Sequence, residues 1–240
     1  MSPDIRKHRG PHPEDRKLFA DDRLPALSTA VNELSWLLTR DYGMKGALKL
    51  VGDRYTLTDR QRLAVSRAAC SDQSQEHRAA TNLPVETVAG KEIILDGFNL
   101  IITIEAALSG GVLIRCRDGC FRDLSSVHGS YRSVDETNQA IRLMGKTLED
   151  LRPKSVAWLL DRPISNSGRL AKRIRDVAVE HGWNWTVEVL FNPDAEIIAS
   201  GRVVVSSDSH VLDQTHHWIN FTGYLLDKEL KKFWLIDLSR

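Results

Sequence analysis

The stretch Glu92-Ile93-Ile94-Leu95-Asp96-Gly97-Phe98-Asn99 runs three aliphatic residues into a carboxylate, a glycine and, two residues on, a carboxamide. Alone it reads as a buried strand meeting a turn, because Asp and Gly are among the commonest turn residues. The same event recurs at residues 156–160, which stop at Asp161, and in Val203-Val204-Val205-Ser206-Ser207, which stops at Asp208. Further short apolar runs lie at residues 112–114 and 187–191, and stretches able to form helices fill residues 100–108, 135–151 and 169–181. The runs are continuous rather than alternating, as strands buried on both faces should be. Strands alternating with helices predict an α/β fold with a parallel sheet covered on both faces.

Before residue 88 the pattern is helical. Apolar residues recur at helical spacing over residues 24–38, with Gly43 as a stop, and a second helix is expected over residues 44–51. A third opens at Thr58-Asp59-Arg60-Gln61, a capping box, and Ser133-Val134-Asp135-Glu136 reads as another. Residues 71–91 have few large apolar groups and include Pro84 and Gly90, so they read as a connection. Residues 1–20, with Pro3, Pro11, Pro13 and many charges, read as a flexible leader. The expected division is a leader over 1–20, a small helical domain over 21–88 and an α/β domain over 89–240. Trp36 and Tyr42 are expected in the helical core.

Across 240 residues, 42% are hydrophobic, enough for a packed core, and 33 Lys and Arg nearly cancel 32 Asp and Glu. No whole-molecule field steers the chain to nucleic acid or membrane, so polyanion binding needs a local patch. No apolar run approaches the roughly 20 residues that span a bilayer, and the charged start does not resemble a signal peptide, so a cytoplasmic protein is expected. Cys70, Cys116 and Cys120 read as reduced, small buried side chains; a metal site of the last two with His128 would lack four visible ligands.

In open parallel sheets ligands sit in the crevice at the carboxyl ends of the strands, so Asp96, Asp161 and Asp208 are expected to converge there. Three carboxylates repel one another unless a cation neutralises them. An all-oxygen donor set selects Mg²⁺ or Mn²⁺, and the chemistry such an ion supports is phosphodiester hydrolysis. Asn99, in the first turn after Asp96, is placed to orient that carboxylate, and Ser207 is placed to support Asp208 or the ion. Asp118 and Glu136 are alternative fourth acids, each with a structural reading as a turn or capping residue. Asp194 in Asn192-Pro193-Asp194 reads as a turn residue, and Glu105, about 240° around a helix from Asn99, faces elsewhere. Arg162, Arg169, Lys172, Arg173 and Arg175 follow Asp161 with no acid among residues 162–175, a local basic patch suited to nucleic acid or simply a solvated helix face.

On Leu95-Asp96-Gly97-Phe98-Asn99 and Val205-Ser206-Ser207-Asp208-Ser209 the sequence resembles the PIN-like nuclease superfamily, including its NYN branch, over roughly residues 90–225. Asn32-Glu33-Leu34-Ser35-Trp36-Leu37-Leu38 and Leu50-Val51-Gly52-Asp53-Arg54-Tyr55 resemble an uncharacterised prokaryotic helical domain. The first resemblance implies a Rossmann-like three-layer fold and Mg²⁺- or Mn²⁺-dependent cleavage of RNA. Asp96, Asp161 and Asp208 would be its catalytic, metal-binding acids, Asn99 an adjacent ligand or orienter, and Glu136 or Asp118 the acid of the middle helix. The helical part would hold RNA, block the site or form a homo-oligomer. A haloacid dehalogenase-type phosphatase needs a second Asp where Phe98 stands, and no glycine-rich phosphate loop follows any strand. The alternative is an inactive RNA-binding or scaffold protein of the same fold.

Overall fold

The computed structural model describes residues 7–125, 129 and 131–240. Among these the chain forms α1 (Asp15–Leu18), α2 (Leu24–Leu38), α3 (Met44–Arg54), α4 (Asp59–Ala68) and α5 (Asp72–Thr81). Beyond a short 3-10 turn come β1 (Glu92–Asp96), α6 (Gly97–Leu108), β2 (Val112–Arg115), β3 (Phe121–Asp123) and α7 (Thr137–Leu151). The rest is β4 (Ser155–Asp161), α8 (Ser167–His181), β5 (Trp185–Leu190), α9 (Pro193–Ala199), β6 (Val203–Val205), α10 (Ser209–Leu212), α11 (Phe221–Glu229) and β7 (Trp234–Asp237).

The main sheet has four parallel strands in the order β5-β4-β1-β6. The chain builds outward from β1 through β4 to β5, then crosses back through α9 to place β6 on the other side of β1. A crevice therefore opens between the carboxyl ends of β1 and β6, where the winding reverses. Both faces are covered, as the continuous apolar runs require. Ile93, Leu95, Val156, Trp158, Leu160, Val203 and Val205 enter one core with α6, α7 and α8. Ile94, Ala157, Leu159 and Val204 enter another with Ile197 of α9 and Val211 and Leu212 of α10.

A second, three-stranded sheet, β3-β2-β7, pairs β2 antiparallel to β3 and parallel to β7. It gives the amino-terminal helices their core: Phe19, Leu27, Val31, Leu34, Val51 and Val65 pack with Val112, Ile114, Cys116, Ile236 and Leu238. The capping box at Thr58 forms, with both reciprocal bonds to Gln61.

Several expectations are corrected. Residues 7–20 are not a frayed leader: Phe19 is buried, Arg9 bonds buried Glu105, and buried Asp15 takes Arg60. The first half of the 71–91 connection is helix α5, capped by Ser71, whose polar sequence hides it because its buried residue is Arg78. The box at Ser133 does not form; α7 starts at Thr137, whose hydroxyl accepts the Val134 N–H. Trp36 is 54% exposed and Tyr42 is also exposed, with Arg40 stacked 3.6 Å over the Trp36 ring. Cys70, Cys116 and Cys120 are free and buried, and His128 lies outside the described residues. No helix among the described residues is long and apolar enough to cross a membrane.

A core that spans the 21–88 and 89–240 segments makes them mutually dependent. Leu27→Ala is expected to cost about 2–5 kcal/mol, and removal of residues 1–88 to abolish cooperative unfolding by exposing the Val112, Ile114 and Ile236 face. A sharp thermal transition from the truncated chain, read by circular dichroism, would contradict this.

Candidate functional site

Asp96 ends β1 and leads directly into α6. The turn is tight because a Cβ at Gly97 would stand 2.6 Å from Leu160 Cδ2 and 2.9 Å from the Leu159 carbonyl, so only glycine lets α6 start here. Asp96 is 5% exposed, and its Oδ2 accepts from Asn99 Nδ2 at 2.6 Å and Ser206 Oγ at 2.8 Å. Asn99 thus has the orienting place expected of it. Burial pushes the Asp96 carboxyl up to about 7 despite those two bonds, and the charges of Asp208 and Asp194 add to the rise.

Asp208 caps α10, with Oδ1 accepting from the His210 and Val211 backbone N–H groups at 2.8 and 3.2 Å. Its own N–H donates to Ser206 Oγ at 2.9 Å. Ser206, which sequence reasoning passed over for Ser207, therefore ties the first acid to the third. Ser207 is held by its carbonyl, which accepts from Arg122 Nε at 2.8 Å.

Asp161 ends β4 and is half-buried; desolvation and the charges of Asp194 and Asp208 raise its pKa. Asp194, expected to be a turn residue, stands in the first turn of α9, where Pro193 follows the Asn192 cap, and burial and Asp208 raise it. Asn-Pro-Asp is as good a helix start as a turn, and that was the available signal.

These four acids share one cavity of about 560 Å³ with Asn99, Ser207, Ser66, Arg67, Arg122 and Asp123. Asp123, at the end of β3, was not anticipated; its carboxylate accepts from Thr103 Oγ1 at 2.8 Å and the Ser125 N–H at 2.6 Å. The three expected carboxylates do converge on one cavity. Among the described residues, however, no group of three or more His, Cys, Asp or Glu side chains could hold a metal ion.

The other candidates lie elsewhere. Asp118 does not line the cavity: buried, it binds Arg78 Nη1 at 2.6 Å and Arg122 through both oxygens, at 3.0 and 2.6 Å. Burial would raise its pKa, but the Arg122 and Arg78 charges win and hold it at about 2. Glu136 takes the His8 ring at 2.7 Å, away from the cavity. Arg162 stacks over Phe191, and Arg169, Lys172 and Arg173 line a separate groove with Asn138 and Arg142. Asp176 and Glu180 share that groove, and Asp176 pairs with Lys172 at 2.7 Å, so the basic patch is partly neutralised.

Residues 85–224 match a domain of unknown function, DUF5616. The chain belongs to that family. Residues 26–80 match a second family of unknown function, DUF434, so the two matches meet between α5 and β1 although the core crosses that junction. The uncharacterized protein MJ0935 of Methanocaldococcus jannaschii is 30% identical over 187 residues, 78% of this chain and 89% of that protein. No solved structure matches the chain.

Proposed function

We propose that this DUF5616 chain is a metal-dependent nuclease that hydrolyses phosphodiester bonds, RNA being the substrate class. The observation that carries the reading is the single cavity into which the ends of β1, β4 and β6 and the start of α9 deliver Asp96, Asp161, Asp208 and Asp194. The resemblance to PIN-like nucleases, with its Rossmann-like three-layer fold, supports the same reading.

The residues fit Mg²⁺ or Mn²⁺. Their donors are all oxygen, and burial, with the neighbouring acids adding to it, raises the pKa values of Asp96, Asp161 and Asp194, a setting that a hard cation would relieve. Such ions keep several waters and need only one or two protein carboxylates, so a closed ligand cage is not required. Asp96, Asp208 and Asp161 would hold the ion. When bound, it would polarise a phosphoryl oxygen and activate a water for in-line attack.

The protein's own part is positional. Asn99 and Ser206 hold one oxygen of Asp96, Oδ2, and the α10 backbone holds Oδ1 of Asp208, which fixes both carboxylates in the cavity lining. Asp194, with its raised pKa, is suited to accept and return a proton near the scissile phosphate.

Incubation of purified protein with labelled single-stranded RNA is expected to yield products with Mn²⁺ or Mg²⁺ and none with EDTA. Absence of cutting by folded protein would remove the nuclease reading and leave the inactive RNA-binding alternative.

A further inference from the structure

The floor of the cavity is acidic, and a phosphodiester that enters it meets Asp96, Asp123, Asp161, Asp194 and Asp208. The cations on its walls are Arg67 and Arg122, and they are not equivalent. Arg122 is buried and spent: Nε holds the Ser207 carbonyl, Nη1 the Arg67 carbonyl, and two nitrogens bind Asp118. Arg67 is different. Its side chain is 29% exposed, its Nη1 bonds the Asp123 carbonyl, and its Nη2 bonds the Ser125 carbonyl at 3.0 Å. The carbonyls orient the guanidinium, and Nη1 also pairs with the Asp123 carboxylate at 3.5 Å, a long contact that neutralises the charge only in part. The Nε–H of Arg67 has no partner among the described residues. Arg67 comes from α4, inside the DUF434 match, and Ser66 beside it and Met44 of α3 line the same cavity.

We propose that Arg67 is the phosphate-contacting residue of this cavity, so that the amino-terminal helices complete the substrate site with its positive wall. This rests on the nuclease reading for its substrate class. A planar guanidinium held by two carbonyls is pre-organised to donate to phosphate oxygens, and its charge offsets the repulsion between the acids and a nucleic acid backbone.

The test is binding of a short labelled single-stranded RNA in EDTA, where no turnover occurs, over about 50 to 200 mM salt. Arg67→Gln is expected to weaken binding about 10-fold at the low-salt end and to flatten the slope of log affinity against log salt by about 0.7. Arg67→Lys, which keeps the charge and loses the fork, is expected to retain the wild-type slope. If Arg67→Gln does not fold, the wild-type protein decides: the Arg67 Nε–H resonance should shift on titration with inorganic phosphate. Wild-type slope and affinity in Arg67→Gln, or an unmoved resonance, would overturn the assignment. RNA binding with the expected slope change but no cleavage with metal would sink the nuclease reading alone; cleavage with an unchanged slope would sink this one alone.

Discussion

Asp96→Asn is expected to reduce metal-dependent cleavage at least about 100-fold while making the metal-free protein more stable at alkaline pH. The loss follows from removing the charge of a cavity-lining carboxylate while one oxygen keeps its bonds to Asn99 and Ser206. The gain follows from burial. A carboxyl whose folded pKa is raised, here to about 7, contributes stability fully present below its ordinary value near 3.8 and lost as pH rises through 7. At pH 8 the wild type carries a buried carboxylate at a cost on the order of 2–4 kcal/mol, which the neutral amide does not bear. The side-chain carbonyl of an Asn at this position can still accept from Asn99 and Ser206. Urea unfolding in EDTA at pH 8 and pH 4 is the check: the stability difference should be large at the first and shrink toward zero at the second. A variant that cuts as fast as wild type, or is less stable at pH 8, would refute the role given to Asp96.

Asp118→Ala is expected to destabilise the protein by about 3–5 kcal/mol. The aspartate is buried between Arg78 and Arg122, and its removal leaves Arg122 buried without a carboxylate; Arg78 keeps Asp213, at 2.8 Å, and the Ser209 carbonyl, at 3.2 Å. Because its folded pKa is lowered to about 2, its contribution is present above pH 3.8 and lost as pH falls through 2, about 2 kcal/mol in all. The wild type should therefore lose stability between pH 4 and 2 by a step that the variant lacks. Arg122 also holds the Ser207 carbonyl, one residue before Asp208, so cleavage should fall with stability. Equal stability of the two proteins at pH 7 would show that the ion pairs are dispensable.

The sequence by itself determined the elements whose signals are local. Aliphatic runs that end in Asp96, Asp161 and Asp208 are parallel strands because burial on both faces demands continuous apolar residues, and α2 and α4 follow from 3.6-residue spacing and a capping box. Residues at the carboxyl ends of such strands share one edge of the sheet, so the meeting of these three acids was legible as well. Tertiary structure decided what depends on long-range pairing. Asp118 and Asp194 both looked like turn residues; the fold buried the first between two arginines from other elements and set the second among the cavity acids. Asp123 and Arg67 reach the cavity only because the β3-β2-β7 sheet docks against α4. A carboxylate's neighbours, whether cations or other acids, fix its role, and contacts such as Asp118 with Arg78, 40 residues apart, leave no mark in local spacing.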